Sequence, residues 1–265
     1  MTGRVRDAAT VALVRPGARG VEVYLLQRVT TMAFAAGMHV FPGGRVDAAD
    51  GDDVPWLTSV TDHELAERLG TAPSDARALV VAAVRETFEE SGVLIVRHRT
   101  GAALVPDSTQ WESFRLAVLA RETGFGQALR DLEAVIDPAL LHVWDHWITP
   151  QVEPRRYDTR FFVAALPPGQ ETVVVGGEAE SVLWIDPVDA VARYRSEGFA
   201  LMPPTLAVLS SLQPFTTVAD VLDSAGERVI RPLLPTAVET DGAVRWELRD
   251  AETGALVAPG DGTPQ

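Results

Sequence analysis

Residues 79–95 read LVVAAVRETFEESGVLI, a run of apolar and acidic residues with no internal proline or glycine before Gly92. On a helical wheel with Glu86 as origin, Glu90 lies at about 40° and Glu89 at about −60°, so three carboxylates share one arc. Val80, Val81, Val84 and Phe88 fall on the opposite side. This spacing predicts a helix with one core face and one dense anionic face. Ser74 is its expected N-cap, with Asp75 in the first turn, and Gly92 its expected C-terminal stop. The anionic face is unfavourable alone, because like charges at i and i+4 repel by about a few tenths of a kcal/mol. Glu89 and Glu90 also sit near the helix C-terminus, where the macrodipole disfavours negative charge. A hard divalent cation would offset both effects, and Arg85 borders the patch where it could fix one carboxylate. The bland alternative is a solvated acidic surface.

Upstream lies Phe41-Pro42-Gly43-Gly44, where paired glycines let the backbone approach a ligand closely. Together the two segments resemble the Nudix hydrolases, whose box is a glycine, five residues, Glu, seven residues, then Arg-Glu-U-x-Glu-Glu-x-Gly-U, U being aliphatic or aromatic. The second half is matched by Arg85, Glu86, Glu89, Glu90, Gly92 and Val93, with Thr87 in an aliphatic slot. The first half is matched by Gly44 and, six positions on, Asp50, an Asp where the family has Glu; Asp47 takes a common additional acidic position. From Asp50 to Arg85 is 35 positions where the box has eight, so 27 residues are inserted. A branch that includes the peroxisomal acyl-coenzyme A diphosphatases of animals is similar in having an interrupted box. Its leader is similar too: Arg28, Gly37 and Phe41 keep the spacing of the coenzyme A-type signature, although Ala33 stands where a second arginine belongs. WITPQVEPRRYDTRFFVAALP and LMPPTLAVLSSL extend the likeness, which runs from about Ala9 to Leu212.

The resemblance implies an α/β (α+β) Nudix fold, a mixed β-sheet sandwiched between helices. It implies hydrolysis of a nucleoside diphosphate derivative with Mg²⁺, or Mn²⁺ in its place, activating water and stabilising phosphoryl charge. Glu86, Glu89, Glu90 and the Gly43 carbonyl become the expected metal ligands. Arg85 and Glu89 are expected in catalysis, together with Glu178, the preferred general base by its position before Trp184; Glu180 and Glu153 are rivals. Substrate contacts are expected from Arg28, His39, Arg45, Arg155 and Arg156. Arginine suits bidentate phosphate contacts, while ion pairing of Arg155, Arg156 or Arg160 with Glu153 or Asp158 is an equal alternative. His142 and His146 read as strand residues rather than a zinc pair, and Trp144, Trp147, Phe161 and Phe162 as core. The leading substrate is coenzyme A or an acyl-coenzyme A. ADP-ribose or another nucleotide sugar is the runner-up, and a non-catalytic nucleotide-binding module the rival of a different class.

The chain has 265 residues with 23 basic and 37 acidic, a net charge of −14, and no cysteine. That charge disfavours duplex nucleic acid or an anionic membrane as partner, and the missing thiols exclude disulfides and thiol nucleophiles. No targeting segment or apolar span is recognised, so a cytoplasmic protein is expected, with a homodimer allowed. The Nudix domain is expected over 1–212, with an insert at about 51–73 that loops out on the surface. A C-terminal extension, 213–265, would pack on the domain, helical apart from a late strand at 243–249. Strands are expected at 9–14, 21–27, 93–96, 143–148, 160–165, 172–175 and 181–185. Helices are expected at 62–69, 74–91, 110–121, 127–135, 187–197, 205–212 and 218–224.

Overall fold

A computed structural model describes residues 5–30, 35–51, 53–104, 108–173, 179–196, 198–240 and 243–257. In chain order the elements begin with β1 (Arg6–Pro16), β2 (Val21–Arg28), β3 (His39–Val40), β4 (Gly43–Arg45), α1 (Asp62–Leu69) and α2 (Pro73–Ser91). Then come β5 (Arg97–His98), α3 (Ser108–Leu119), α4 (Phe125–Asp131), β6 (Ala134–Val135), β7 (His142–Ile148) and β8 (Tyr157–Ala165). The chain closes with β9 (Ala179–Ile185), α5 (Pro187–Ser196), α6 (Pro203–Leu212), α7 (Val218–Ala225), β10 (Pro232–Thr240) and β11 (Ala243–Asp250).

Among the described residues one mixed sheet runs β11-β10-β7-β8-β1-β2-β3, with β4 also on β1 and β9 also on β2. β1 lies parallel to β8 along its length. Its other edge is divided, Ala8–Thr10 pairing with β4 and Val14–Pro16 with β2. Both faces of β1 are apolar. Ala9, Val11 and Leu13 join the core under α2, and Ala12 and Val14 the core under α5, α6 and α7. That period-two division is what a strand buried on both sides requires, and it yields helices on both faces of a mixed sheet. No helix among the described residues is long and apolar enough to cross a membrane.

α2 starts at Pro73, one residue before the expected start, with Ala72 as its N-cap and no side-chain cap. Proline's fixed φ is suited to the first helical position, so Ser74 is already inside. Gly92 closes the helix at φ 75°, its N–H bonded to the Phe88 carbonyl. The expected strand at 93–96 is instead a buried loop. Gln170 supplies the pairing a strand would have had: its Oε1 accepts from Leu94 N and its Nε2 donates to Leu94 O, both at 2.9 Å. Residues 172 and 173 are likewise not strand, and 174 and 175 lie outside the described residues. The helix expected over 127–135 stops at Asp131, and Ala134–Val135 pairs with β5.

The insert departs from expectation. Its helix α1 forms where foreseen, capped by Thr61 in a reciprocal bond with Glu64. However, Val54, Leu65, Ala66 and Leu69 are buried in the same core as α2. The segment is acidic on its outer side only, and its leucines fill space beside the helix. The C-terminal segment holds the late strand and a second one, β10, which pairs with β7 at Pro232 and Leu233. Two prolines, Pro232 and Pro235, hid β10 from the periodicity; Pro232 starts the strand, where a missing N–H costs least.

Candidate active site

Pairing of β4 with β1 carries the glycine turn beneath α2. A Cβ on Gly44 would stand 2.5 Å from the Glu86 carboxyl carbon, and one on Gly43 would stand 2.5 Å from the Ala9 carbonyl oxygen. Neither position has room for a side chain. The Gly43 N–H donates to Glu90 Oε2 at 2.8 Å, so turn and helix are joined at the carboxylates.

Arg85 organises the other acids. Its Nε and Nη2 hold Asp50 at 2.7 and 2.8 Å in a buried fork. Its Nη1 reaches Glu86 at 2.9 Å and Glu89 at 3.4 Å, and its Nη2 the Arg45 carbonyl at 3.2 Å. Asp50 also accepts from the Asp47 amide at 2.8 Å. The Asp at the family's Glu position is therefore the partner of the box arginine. Arg115 bonds the Glu89 carbonyl at 3.0 Å and is itself gripped by Glu112. A cation at the last turn suits the helix dipole. Arg115 and Asp50 were not among the expected site residues; the acidic position of the box was the available signal for Asp50.

The anionic face is not solvated. The Glu86 and Glu89 side chains are each 15% exposed. Burial pushes Glu86 up to about 7, with the Glu89 charge adding and Arg85 opposing. Burial raises Glu89 in the same way against Arg85. The Arg85 guanidinium thus faces three carboxylates, Asp50, Glu86 and Glu89, with a fourth, Glu90, on the Gly43 amide. The donors are all oxygen, the set a hard divalent cation prefers, and the surplus negative charge gives such an ion a reason to bind. Among the described residues no three side chains converge on one point as they stand, because Arg85 draws Glu86 and Glu89 and the Gly43 amide draws Glu90. Behind Glu90, the Tyr24 hydroxyl is buried without a hydrogen-bond partner among the described residues, and burial followed by the Glu90 charge pushes it up.

Of these groups, Gly43, Gly44, Glu86 and Glu90 open on a cleft of about 2400 Å³. Glu86, Glu90, Gly43, Gly44, Arg28 and Arg45 line it on one side, and Glu153, Arg155 and Arg156 on another. The Arg28 Nε is buried with no partner among the described residues. Arg45 pairs with Asp47 at 2.9 Å, and Arg156 donates to the Thr149 carbonyl at 3.0 Å. Arg155 is exposed. Arg160 is different: it is buried, paired with Asp158 and bonded to the Leu69 carbonyl. His146 shares Asp158. Glu89 does not line the cleft, and neither does His39, whose ring stacks 3.8 Å from Phe199 in a buried site. Glu178 lies outside the described residues; Glu180 is exposed on β9. Trp144, Trp147, Phe161 and Phe162 are core residues, as expected.

Comparison with known proteins identifies the family and the fold. The model of the NUDT19 Nudix domain matches residues 59–212. The human acyl-coenzyme A diphosphatase NUDT19 is 30% identical over 252 aligned residues, covering 81% of this chain and 66% of that protein. Its chicken (Gallus gallus) counterpart is 29% identical, covering 97% of this chain and 79% of that protein. The match therefore spans about two thirds of the human relative's length. The crystal structure of a Nudix hydrolase from Alicyclobacillus acidocaldarius superimposes with a TM-score of 0.68 at 28% identity, over 84% of this chain and 97% of that one. The chain belongs to the Nudix hydrolases, in the group defined by the NUDT19 Nudix domain.

Proposed function

We propose that the protein cleaves the diphosphate bond of coenzyme A or an acyl-coenzyme A in a divalent cation-dependent hydrolysis. One observation carries the reading: across a 27-residue insert, the Gly43-Gly44 turn and Asp50 still meet Arg85, Glu86 and Glu90 at hydrogen-bond distance or closest packing. Glu86, Glu89, Glu90 and the Gly43 carbonyl would hold Mg²⁺ or Mn²⁺. Such an ion, when bound, lowers the pKa of water and offsets charge on the phosphoryl oxygens. Arg85 fixes the helix acids through Asp50, and the amide of Gly43 orients Glu90. Arg28, Arg155 and Arg156 line the same cleft, where they would meet phosphate oxygens. The names of the human and chicken relatives support coenzyme A as the leader of the substrate.

The test is a panel of coenzyme A, acyl-coenzyme A, ADP-ribose and other nucleotide diphosphates with Mg²⁺, each product identified. Adenosine 3′,5′-bisphosphate and a phosphopantetheine are the expected products. Preferred turnover of ADP-ribose would promote the nucleotide-sugar reading, and binding without cleavage would leave a nucleotide-binding module. Glu89→Gln and Glu90→Gln should stay folded and lose more activity than the roughly 10–100-fold typical of a supporting partner's loss. Turnover unaffected by a chelator contradicts the metal assignment.

A further inference from the structure

The cleft is larger than diphosphate chemistry needs. Small-molecule sites commonly enclose about 300–1000 Å³, against about 2400 Å³ here. Its far wall comes from the β10–β11 hairpin and the residues after it, beyond the 59–212 stretch that the family model covers. Trp246 and Leu256 stand on that wall 58% and 61% exposed, beside Pro235, Leu248 and Val257. Single exposed apolar side chains need no explanation. Two of them on a wall continuous with a site lined by arginines and carboxylates do.

The sheet sets the distance. From β4, which carries the glycine turn, the order is β1, β8, β7, β10, β11. Five strand spacings of about 4.8 Å place the hairpin edge about 24 Å from the glycine turn. A ligand that reaches both must carry an extended arm away from its diphosphate. Arg28, Arg155 and Arg156 suit phosphate oxygens, whereas on the far wall Glu247 is already paired with Arg249 at 2.6 Å. Arg245, beside Trp246, offers N–H donors to amide or thioester carbonyls.

We propose that this wall is an acyl subsite: Trp246 and Leu256 hold the thioester-linked chain of an acyl-coenzyme A and make turnover depend on its length. The proposal rests on the coenzyme A reading above. The pantetheine arm carries the thioester from the phosphate side of the cleft to the hairpin, and burying the chain against Trp246 and Leu256 removes apolar surface from water on both partners.

The experiment measures kcat/KM for free coenzyme A, acetyl-, octanoyl- and lauroyl-coenzyme A in the parent, Trp246→Ala and Leu256→Ser proteins. Melting temperature and size-exclusion mass serve as controls. The parent's kcat/KM should rise with chain length. Trp246→Ala should lose about tenfold on lauroyl-coenzyme A, through KM, and under about twofold on free coenzyme A. Leu256→Ser should flatten the series in the same direction. An equal loss on all four substrates, or an unchanged length dependence, overturns the acyl subsite while the coenzyme A reading stands. A uniform loss with a drop in oligomeric mass assigns the wall to contact between copies instead, and also overturns it. A parent that cleaves other diphosphates but no coenzyme A species removes the underlying reading and the subsite together.

Discussion

Asp50 and Arg85, 35 positions apart, meet through two hydrogen bonds of 2.7 and 2.8 Å with both side chains out of solvent. Removing Asp50 leaves the Nε and Nη2 donors of a buried guanidinium without their carboxylate, only Nη1 keeping Glu86 and Glu89. Asp50→Ala should therefore lower unfolding free energy by about 3–5 kcal/mol and loosen Arg85 from the helix acids. Asp50→Glu keeps the charge and the family's own residue type, and should retain most of the stability. Denaturant unfolding of both variants, with diphosphate cleavage beside it, checks this; an alanine variant as stable as the parent contradicts it.

The raised Glu86 carboxyl sets a pH dependence of stability for protein stripped of metal. Its folded value, about 7, stands above the ordinary 4.5, so the folded state holds the proton more tightly than the unfolded one. This contribution is present in full below 4.5 and is lost as pH rises through about 7. In chelator, the melting temperature gained from this group should increase from pH 8 to pH 6. Glu86→Gln should abolish that slope and raise the pH 8 value, and Mg²⁺ added at pH 8 should restore stability to the parent alone. Differential scanning calorimetry across that range decides it.

Shortening 53–72 removes Val54, Leu65, Ala66 and Leu69 from the core beside α2. The shortened protein should not fold, contrary to what a surface loop would allow. Leu65→Ala and Leu69→Ala should each cost about 2–5 kcal/mol, while Glu67→Ala, exposed on the same helix, should cost almost nothing. Urea midpoints for the three variants separate a core insert from a dispensable one.

Arg28 and Arg156 line the cleft, and the Arg28 Nε has no partner among the described residues. Loss of a charge-assisted phosphate contact costs about 1.5–3 kcal/mol, ten- to a hundredfold in affinity. Arg28→Ala and Arg156→Ala should weaken coenzyme A cleavage by that order and ADP-ribose cleavage less, since only the former carries a 3′-phosphate. The ratio of kcat/KM values, with melting temperature as control, is the readout. Equal losses on both substrates count against a 3′-phosphate contact.

Local pattern made much of this legible. The spacing of Glu86, Glu89 and Glu90 and the Gly92 stop were readable because helix periodicity and caps act within a few residues. The likeness of motif marked Asp50 and Arg85 but not their pairing, since nothing local joins two residues across an insert. Leu65 and Leu69 look like the apolar side of any surface helix, and their burial follows from where α2 lies. The strand expected at 93–96 had the right residues, but Gln170 took the place of its partner, a tertiary substitution with no local signature. β10 was concealed by its prolines, and with it the far wall of the cleft.

α2 is buried on nearly every side, so the segment that presents the acids is also the one on which the molecule's interior is assembled. Substitutions there put folding and chemistry at risk together, and selection could rarely adjust one without the other. The hairpin wall is peripheral, at a sheet edge, where residues can change without disturbing that interior. Laboratory evolution toward new substrates should accordingly accumulate its accepted changes around Trp246 and Leu256, leaving the neighbourhood of Glu86 almost untouched.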